Sequence, residues 1–306
     1  MKNNILYKIS HKFHRVGFYL YFVKFYYEDN CNSENKVKCF IKSIVKGINL
    51  FSNNSGYYEY LEIPITTKCS LMCKKCSNLI PCYKKRNDYD TNLLIKSLNR
   101  FLNCINHIVF IRILGGEPFL NKDLHKILAE LLNSKKIQRI EVVTNGTIVP
   151  KDKKLLELLK NSRVIVSISQ YPIVDYDKLV LFLQKNNIKY RIDEMNFWLD
   201  YGRPYKRNKS EYELIKQFSK CNNVCKSLIN GQLHLCPRSS HGTDLGIITN
   251  NDDDYVDLFD DTVSDLELSK RIKKLYQKKY IMACDYCDFA TKESKKIPVA
   301  EQIEKK

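Results

Sequence analysis

Between about residues 59 and 195 the apolar positions follow two rhythms in strict turn. Short apolar runs at Tyr60–Thr66, His107–Leu114, Ile137–Thr144, Arg163–Ser169 and Ile188–Ile192 predict strands. Between them lie stretches at helical spacing. Thr91–Ile105 places Leu93, Leu94, Leu98, Phe101, Leu102 and Ile105 on one face, with Asp90 set as N-cap. Lys122–Leu132 and Asp152–Lys160 read the same way, and Asp175 caps a helix running to about Lys185. Strands that alternate with helices must run parallel, joined by crossovers. The strands read as apolar on both faces, as in a parallel sheet covered by helices. Glycines and polar residues gather where the first four strands end, which is where parallel barrels carry their chemistry. Pattern alone does not choose between an open sheet and a barrel, and no sixth strand is legible in Asn196–Lys220.

Past about residue 205 the rhythm changes. Cysteines stand at 221, 225, 236, 284 and 287, around an acidic stretch at Asn251–Asp254 and a charged helix at Val263–Lys279. The division predicted is a helical extension over 1–55, an α/β core over 56–205 and a small cysteine-rich domain over 206–306. Gly17–Tyr27 is apolar and aromatic, but Lys24 interrupts it, and it falls short of the roughly 20 residues a span needs. A cap packed on the core is the first reading of this region, and an interfacial helix the second. A cytoplasmic protein without membrane association is expected.

The net charge of +17 admits nucleic acid, anionic lipid or an acidic small substrate as partners. The lysines are scattered rather than blocked, and no nucleic-acid module is recognisable, so no nucleic-acid partner is expected. Twelve cysteines in a reducing compartment do not read as a disulfide framework; at short fixed spacings they read as metal or cluster ligands.

The loop after the first strand carries Cys69, Cys73 and Cys76 in the spacing C-x3-C-x2-C. Three thiolates so close can hold three corners of a four-iron cluster and leave the fourth iron open. A structural zinc with Cys82 as fourth ligand is the competing reading. Gly115-Gly116-Glu117-Pro118 follows the second strand, Thr144-Asn145-Gly146 ends the third, and Ser167 and Ser169 lie on the fourth.

With these motifs in this order, the chain resembles the radical S-adenosylmethionine (SAM) superfamily. The resemblance implies a partial (β/α)6 TIM-like barrel and a [4Fe-4S] cluster on Cys69, Cys73 and Cys76. It implies that SAM is bound by Gly115, Gly116, Glu117, Pro118, Thr144, Asn145, Ser167 and Ser169. Reductive cleavage of SAM would yield a 5′-deoxyadenosyl radical that takes hydrogen from a substrate, with flavodoxin or ferredoxin as electron donor. One departure is Lys75, where the family often has an aromatic residue beside the adenine.

Asn230-Gly231 is a two-residue hairpin signal. Counting outward, Ile229 faces Gln232, Leu228 faces Leu233 and Cys225 faces Cys236, about 5 Å apart at their α-carbons. With Cys284 and Cys287 these make four thiolates, enough for a closed cluster or a closed zinc site. The arrangement resembles the twitch form of the family's SPASM auxiliary domain, which implies one auxiliary [4Fe-4S] cluster. Cys221 also fits the family spacing through Gly231 to Cys236; Cys225 is preferred on hairpin geometry. Cys31, Cys39, Cys82 and Cys104 read as ordinary core or surface residues.

Such an auxiliary cluster can accept an electron from a substrate radical, which fits oxidation of a carbohydrate or another small polar molecule. The phrases ILGGEPFL, VTNGTIVP and IPVAEQI resemble radical enzymes of surface-polysaccharide biosynthesis. A peptide-modifying maturase and a non-catalytic cluster- or zinc-binding protein are the alternatives. Arg191, Arg203, Arg238 and His241 are candidate substrate-side groups, and Trp198 a candidate pocket residue; surface ion pairing or core packing are their commoner fates.

Overall fold

The computed structural model describes residues 37, 40–42, 44–45, 56–221 and 225–304. Most of the extension predicted over 1–55 therefore lies outside the described residues, as do Cys31 and Cys39; the six residues described there are helical. The described residues up to 59, with 105–107, fall in one compact unit, and the described residues of 60–104 and 108–304 in a second that carries the site. Among the described residues no helix is long and apolar enough to cross a membrane.

The predicted alternation is present. Strands β1 (Tyr57–Pro64), β2 (His107–Leu114), β3 (Ile137–Thr144), β4 (Val164–Gln170) and β5 (Tyr190–Glu194) are separated by helices α1 (Thr91–Asn103), α2 (Leu124–Asn133), α3 (Lys153–Leu159) and α4 (Asp177–Lys185). They lie in the order β5-β4-β3-β2-β1, and the pairs β2–β3, β3–β4 and β4–β5 are parallel. This is the mixed α/β, largely parallel sheet of a partial barrel. Asp90 and Asp152 cap α1 and α3 by accepting from the backbone N–H of Leu93 and Lys154. Asp175 accepts from the Asp177 N–H, but the N-cap of α4 is Tyr176, one residue further on.

The strand faces differ from the expectation of two apolar sides. Ile111, Ile113, Ile140, Val142, Val166 and Ile168 are fully buried. The residues between them are Arg112, Glu141, Ser167 and Ser169, which period-two alternation places on the opposite face. That face is polar.

The sheet continues past β1. Strand β7 (Ser227–Ile229) pairs parallel with β1 through Glu62 and Ser227, and β8 (Gln232–His234) and β9 (Tyr255–Asp257) extend it. The β7–β8 register is the predicted one, Leu228 opposite Leu233 and Ile229 opposite Gln232. The turn has φ of 49° at Asn230 and 78° at Gly231, the two left-handed residues a type I′ turn requires. Helices α5 (Glu211–Lys220), α6 (Pro237–Asp244) and α7 (Asp265–Tyr276) complete this half. No strand pairs beyond β5 among the described residues. The short β6 (Trp198–Leu199) instead pairs antiparallel with β10 (Lys296–Ile297).

Candidate functional site

The cysteine loop is stitched to its neighbours by backbone. The Gly116 N–H donates to the Thr66 carbonyl at 2.9 Å and the Glu117 N–H to the Lys68 carbonyl at 2.8 Å. A Cβ at Gly115 would run into Thr66, and one at Gly116 into Lys68 and Cys69. These glycines therefore permit close approach of the loop itself. Thr67 N–H donates to the Asn87 carbonyl at 2.8 Å, and Lys68 pairs with Asp88 at 2.7 Å, so the loop is fixed on both sides.

Each of the three sulfurs receives an N–H. Cys69 Sγ accepts from Leu71 N at 3.4 Å, and Asn145 Nδ2 stands 3.7 Å away. Cys73 Sγ accepts from Gln302 Nε2 at 3.3 Å. Cys76 Sγ accepts from the backbone of Asn78 and Ile80. Burial pushes the Cys69 and Cys76 thiols up to about 11. Burial favours the neutral thiols, so ionising them as ligands would draw on a metal's positive charge, and N–H donors to sulfur suit cluster ligands. Among the described residues no three His, Cys, Asp or Glu side chains gather tightly enough to hold a single metal ion.

Glu117 is fully buried. Its carboxylate accepts from the Thr144 hydroxyl at 2.9 Å, the Asn145 N–H at 2.9 Å and the Phe119 N–H at 3.1 Å. The side chain expected from sequence to help bind SAM therefore ties the end of β2 to the end of β3. Burial pushes its acid up from 4.5 to about 7, against those hydrogen bonds. Between these values the folded chain holds a proton that the unfolded chain has lost, so stability falls as pH rises through the window. The loss is on the order of 3 kcal/mol. Urea unfolding of the metal-free protein at pH 5 and pH 8 should show this slope, and Glu117→Gln should flatten it while lowering stability at pH 5.

Asn145 Nδ2 also donates to Ser70 Oγ at 3.0 Å, so Thr144 and Asn145 both join the cysteine loop's surroundings. Ser167 is engaged instead with Asp193, and Ser169 with the Tyr171 hydroxyl. Tyr171 was not singled out from sequence, yet it lies within electrostatic reach of Cys76, Cys73 and Cys69, its ring edge-on to Trp198 at 5.6 Å. Lys75, in place of the family's aromatic residue, pairs with Asp200 at 2.7 Å.

The second cysteine group converges around Tyr201, which feels Cys287, Cys225, Cys221 and Cys236 and stacks on Phe289 at 4.9 Å. Cys284 feels Cys236, Cys287 and Cys221. Cys225 behaves differently from the other four. Its principal partner is the Glu62 carboxylate, to which its thiol is hydrogen-bonded. Cys236 Sγ accepts from Ser239 N and Cys287 Sγ from Phe289 N, each at 3.4 Å. Lys209, missed from sequence, donates to the Cys284 and Cys287 carbonyls at 3.1 and 2.6 Å and so holds their turn. Arg238 is also structural here: it is buried and donates to the Tyr286 and Gly202 carbonyls. His241 is fully buried against the Tyr83 hydroxyl at 2.9 Å.

Across the polar face of the sheet runs a chain of charges. Arg112 Nε donates to Glu141 Oε2 at 2.6 Å, Arg112 Nη1 to the Tyr60 hydroxyl at 2.6 Å, and Tyr60 to Glu62 at 3.1 Å. Arg191 pairs with Glu141 at 2.9 Å and with Asp193 at 2.8 Å. Glu62 and Arg112 lie two positions before the ends of β1 and β2, and Glu141 three before the end of β3.

Residues 63–194 match the profile of the Radical SAM superfamily. Among curated proteins, GTP 3′,8-cyclase of Clostridium acetobutylicum is 30% identical over 137 residues, covering 44% of this chain and 42% of the cyclase. Molybdenum cofactor biosynthesis protein 1 of Dictyostelium discoideum is 29% identical over 132 residues, covering 42% of this chain and 20% of that protein. The chain thus spans less than half the length of these relatives. Among solved structures, anSMEcpe with bound AdoMet is matched at a TM-score of 0.47 and 14% identity, over 72% of this chain and 84% of that one. SuiB of Streptococcus suis bound to S-adenosylmethionine is matched at 0.39 and 21%, over 59% and 42%.

Proposed function

We propose that this chain, a member of the radical SAM superfamily through residues 63–194, is an enzyme that abstracts hydrogen from a small polar, carbohydrate-like substrate. The family's cofactors are a [4Fe-4S] cluster and SAM, which when bound supply a 5′-deoxyadenosyl radical. In this reading Cys69, Cys73 and Cys76 hold three irons. The carrying observation is that all three sulfurs accept N–H bonds on a loop sewn to Gly116 and Glu117. Backbone and side chains of Gly115–Pro118, Thr144 and Asn145 border the open corner, with Ser169 and Tyr171 at its edge. Flavodoxin or ferredoxin would supply the electron.

The charge chain supports the substrate class. It holds two guanidinium groups, Arg112 and Arg191, against the carboxyls of Glu62, Glu141 and Asp193. Two guanidinium groups against three carboxyls leave the row at most one formal charge from neutral, and burial pushes the Glu62 acid up. Paired charges offer donors and acceptors to the hydroxyl groups of a sugar. For the second group, in residues 206–306, we propose one auxiliary [4Fe-4S] cluster on Cys236, Cys284, Cys287 and Cys221. The hydrogen bond between the Cys225 thiol and Glu62, and the proximity of Cys221 to Cys284, support Cys221 over Cys225 as the fourth ligand.

The test is anaerobic: reconstitute the protein, reduce it, and measure 5′-deoxyadenosine with a panel of sugar nucleotides, GTP and peptides. Cofactor cleavage stimulated by a sugar nucleotide supports the reading. Stimulation by a peptide alone moves the assignment to peptide modification, and no cleavage with any reductant overturns it.

A further inference from the structure

We infer that residues 299–303 form a strap across the cysteine loop and that Gln302 tunes the cluster by donating a hydrogen bond to the Cys73 sulfur. This rests on the reading that Cys73 is a cluster ligand.

The strap begins at Ala300, which is fully buried and turned into the left-handed region at φ 54°. That turn lays residues 301–303 antiparallel to Met72–Lys74, with Cys73 opposite Gln302. Two backbone bonds close the pairing: Lys74 N–H donates to the Glu301 carbonyl and Ile303 N–H to the Met72 carbonyl, each at 2.8 Å. Lys74 and Glu301 add an exposed ion pair at 2.7 Å.

The Gln302 side chain completes the pairing. Its Oε1 accepts from the Met72 N–H at 2.7 Å, and its Nε2 donates to the Ala300 carbonyl at 2.6 Å and to Cys73 Sγ at 3.3 Å. An amide can take two orientations, but here its neighbours choose one. Flipped, the NH2 would face the Met72 N–H and the oxygen would face the Ala300 carbonyl, giving two donor or acceptor clashes. The orientation that satisfies the backbone therefore points an N–H at the sulfur. A donor to a ligand sulfur withdraws charge from it and favours the reduced state of the cluster, which carries one more electron.

Two variants separate the sulfur bond from the strap. Gln302→Glu keeps an acceptor for the Met72 N–H but aims an oxygen at Cys73 and at the Ala300 carbonyl; Gln302→Leu loses all three contacts. In redox titrations of the reconstituted protein followed by electron paramagnetic resonance, both should hold about tenfold less reduced SAM-site cluster at a fixed potential. That is a shift of about 59 mV to more negative values for a one-electron couple. In the metal-free protein, alkylation of Cys73 relative to Cys69, read by mass spectrometry, should speed up several-fold in Gln302→Leu and less in Gln302→Glu, which keeps the bond from the Met72 N–H but loses the one to the Ala300 carbonyl. Midpoints equal to wild type in both variants would overturn the tuning role, and an unchanged alkylation ratio in Gln302→Leu would overturn the strap. A wild-type protein whose iron does not depend on Cys73 would instead remove the cluster reading beneath it, and the iron count reports that separately.

Discussion

Replacing Cys69, Cys73 and Cys76 together by alanine should remove about four irons per chain and abolish reductive cleavage of SAM. The fold should survive, because the loop is held by contacts that owe nothing to the thiols: Thr67 to Asn87, Gly116 to Thr66, Glu117 to Lys68 and Lys68 to Asp88. About four irons should remain at the second cysteine group, with 5′-deoxyadenosine reduced to background. Iron and sulfide analysis beside chromatography of the reaction decides this. A variant that loses all its iron would leave the second group to zinc, and the use of an auxiliary cluster as electron acceptor would fall with it. A variant that keeps both its iron and its cleavage would place the active cluster elsewhere.

What sequence showed best is where geometry is local. Strands β2 and β3 were placed to the residue because their apolar runs end abruptly at Gly115-Gly116 and Asn145-Gly146. The β7–β8 register followed from Asn230-Gly231, since a two-residue turn fixes every pair outward from it. Strand β5 was read two residues early. Its sequence Tyr-Arg-Ile-Asp-Glu carries charge on the polar face, and Ile192 on the other side is exposed at this edge, so no apolar run marks it.

Contacts across long separations were not legible. Gln302 meets Cys73 across 229 residues through one bridge, too short to impress any period on the sequence. Arg112, Glu141 and Asp193 each look like ordinary strand residues, and Arg191 like a surface cation; only the pairing order of β2 to β5 makes them one chain of charge. The preference for Cys225 rested on its position opposite Cys236 in the extended hairpin. The strand pairing runs only from Ser227 opposite His234 to Ile229 opposite Gln232, and Cys225 sends its thiol to the Glu62 carboxylate of the neighbouring strand.

The charge chain makes its two arginines behave differently on substitution. Arg112 is mostly buried, reaches Glu141, Tyr60 and, at 3.8 Å, Asp193, and lies over the Tyr60 ring at 5.5 Å. Its partner Glu141 has a side chain only 4% exposed. Arg112→Met would leave that carboxylate to the more exposed Arg191 alone and remove the cation nearest Glu62; breaking a buried pair from one side costs about 3–5 kcal/mol, and the bond to Arg191 should hold the loss to the lower end of that range. Arg112→Lys would keep the charge but not the fork that spans Glu141 and Tyr60, so it should recover only part of the loss. Arg191 is 37% exposed, and Glu141 keeps Arg112 without it, so Arg191→Met should cost about 1 kcal/mol or less. If the row receives substrate, Arg191→Met should leave cleavage of SAM without substrate intact while depressing its stimulation by a sugar nucleotide, seen as a raised KM. Urea unfolding of both variants with paired cleavage assays separates the roles. Equal loss of stability in the two would make the row a purely structural network and withdraw the argument for a polyhydroxylated substrate.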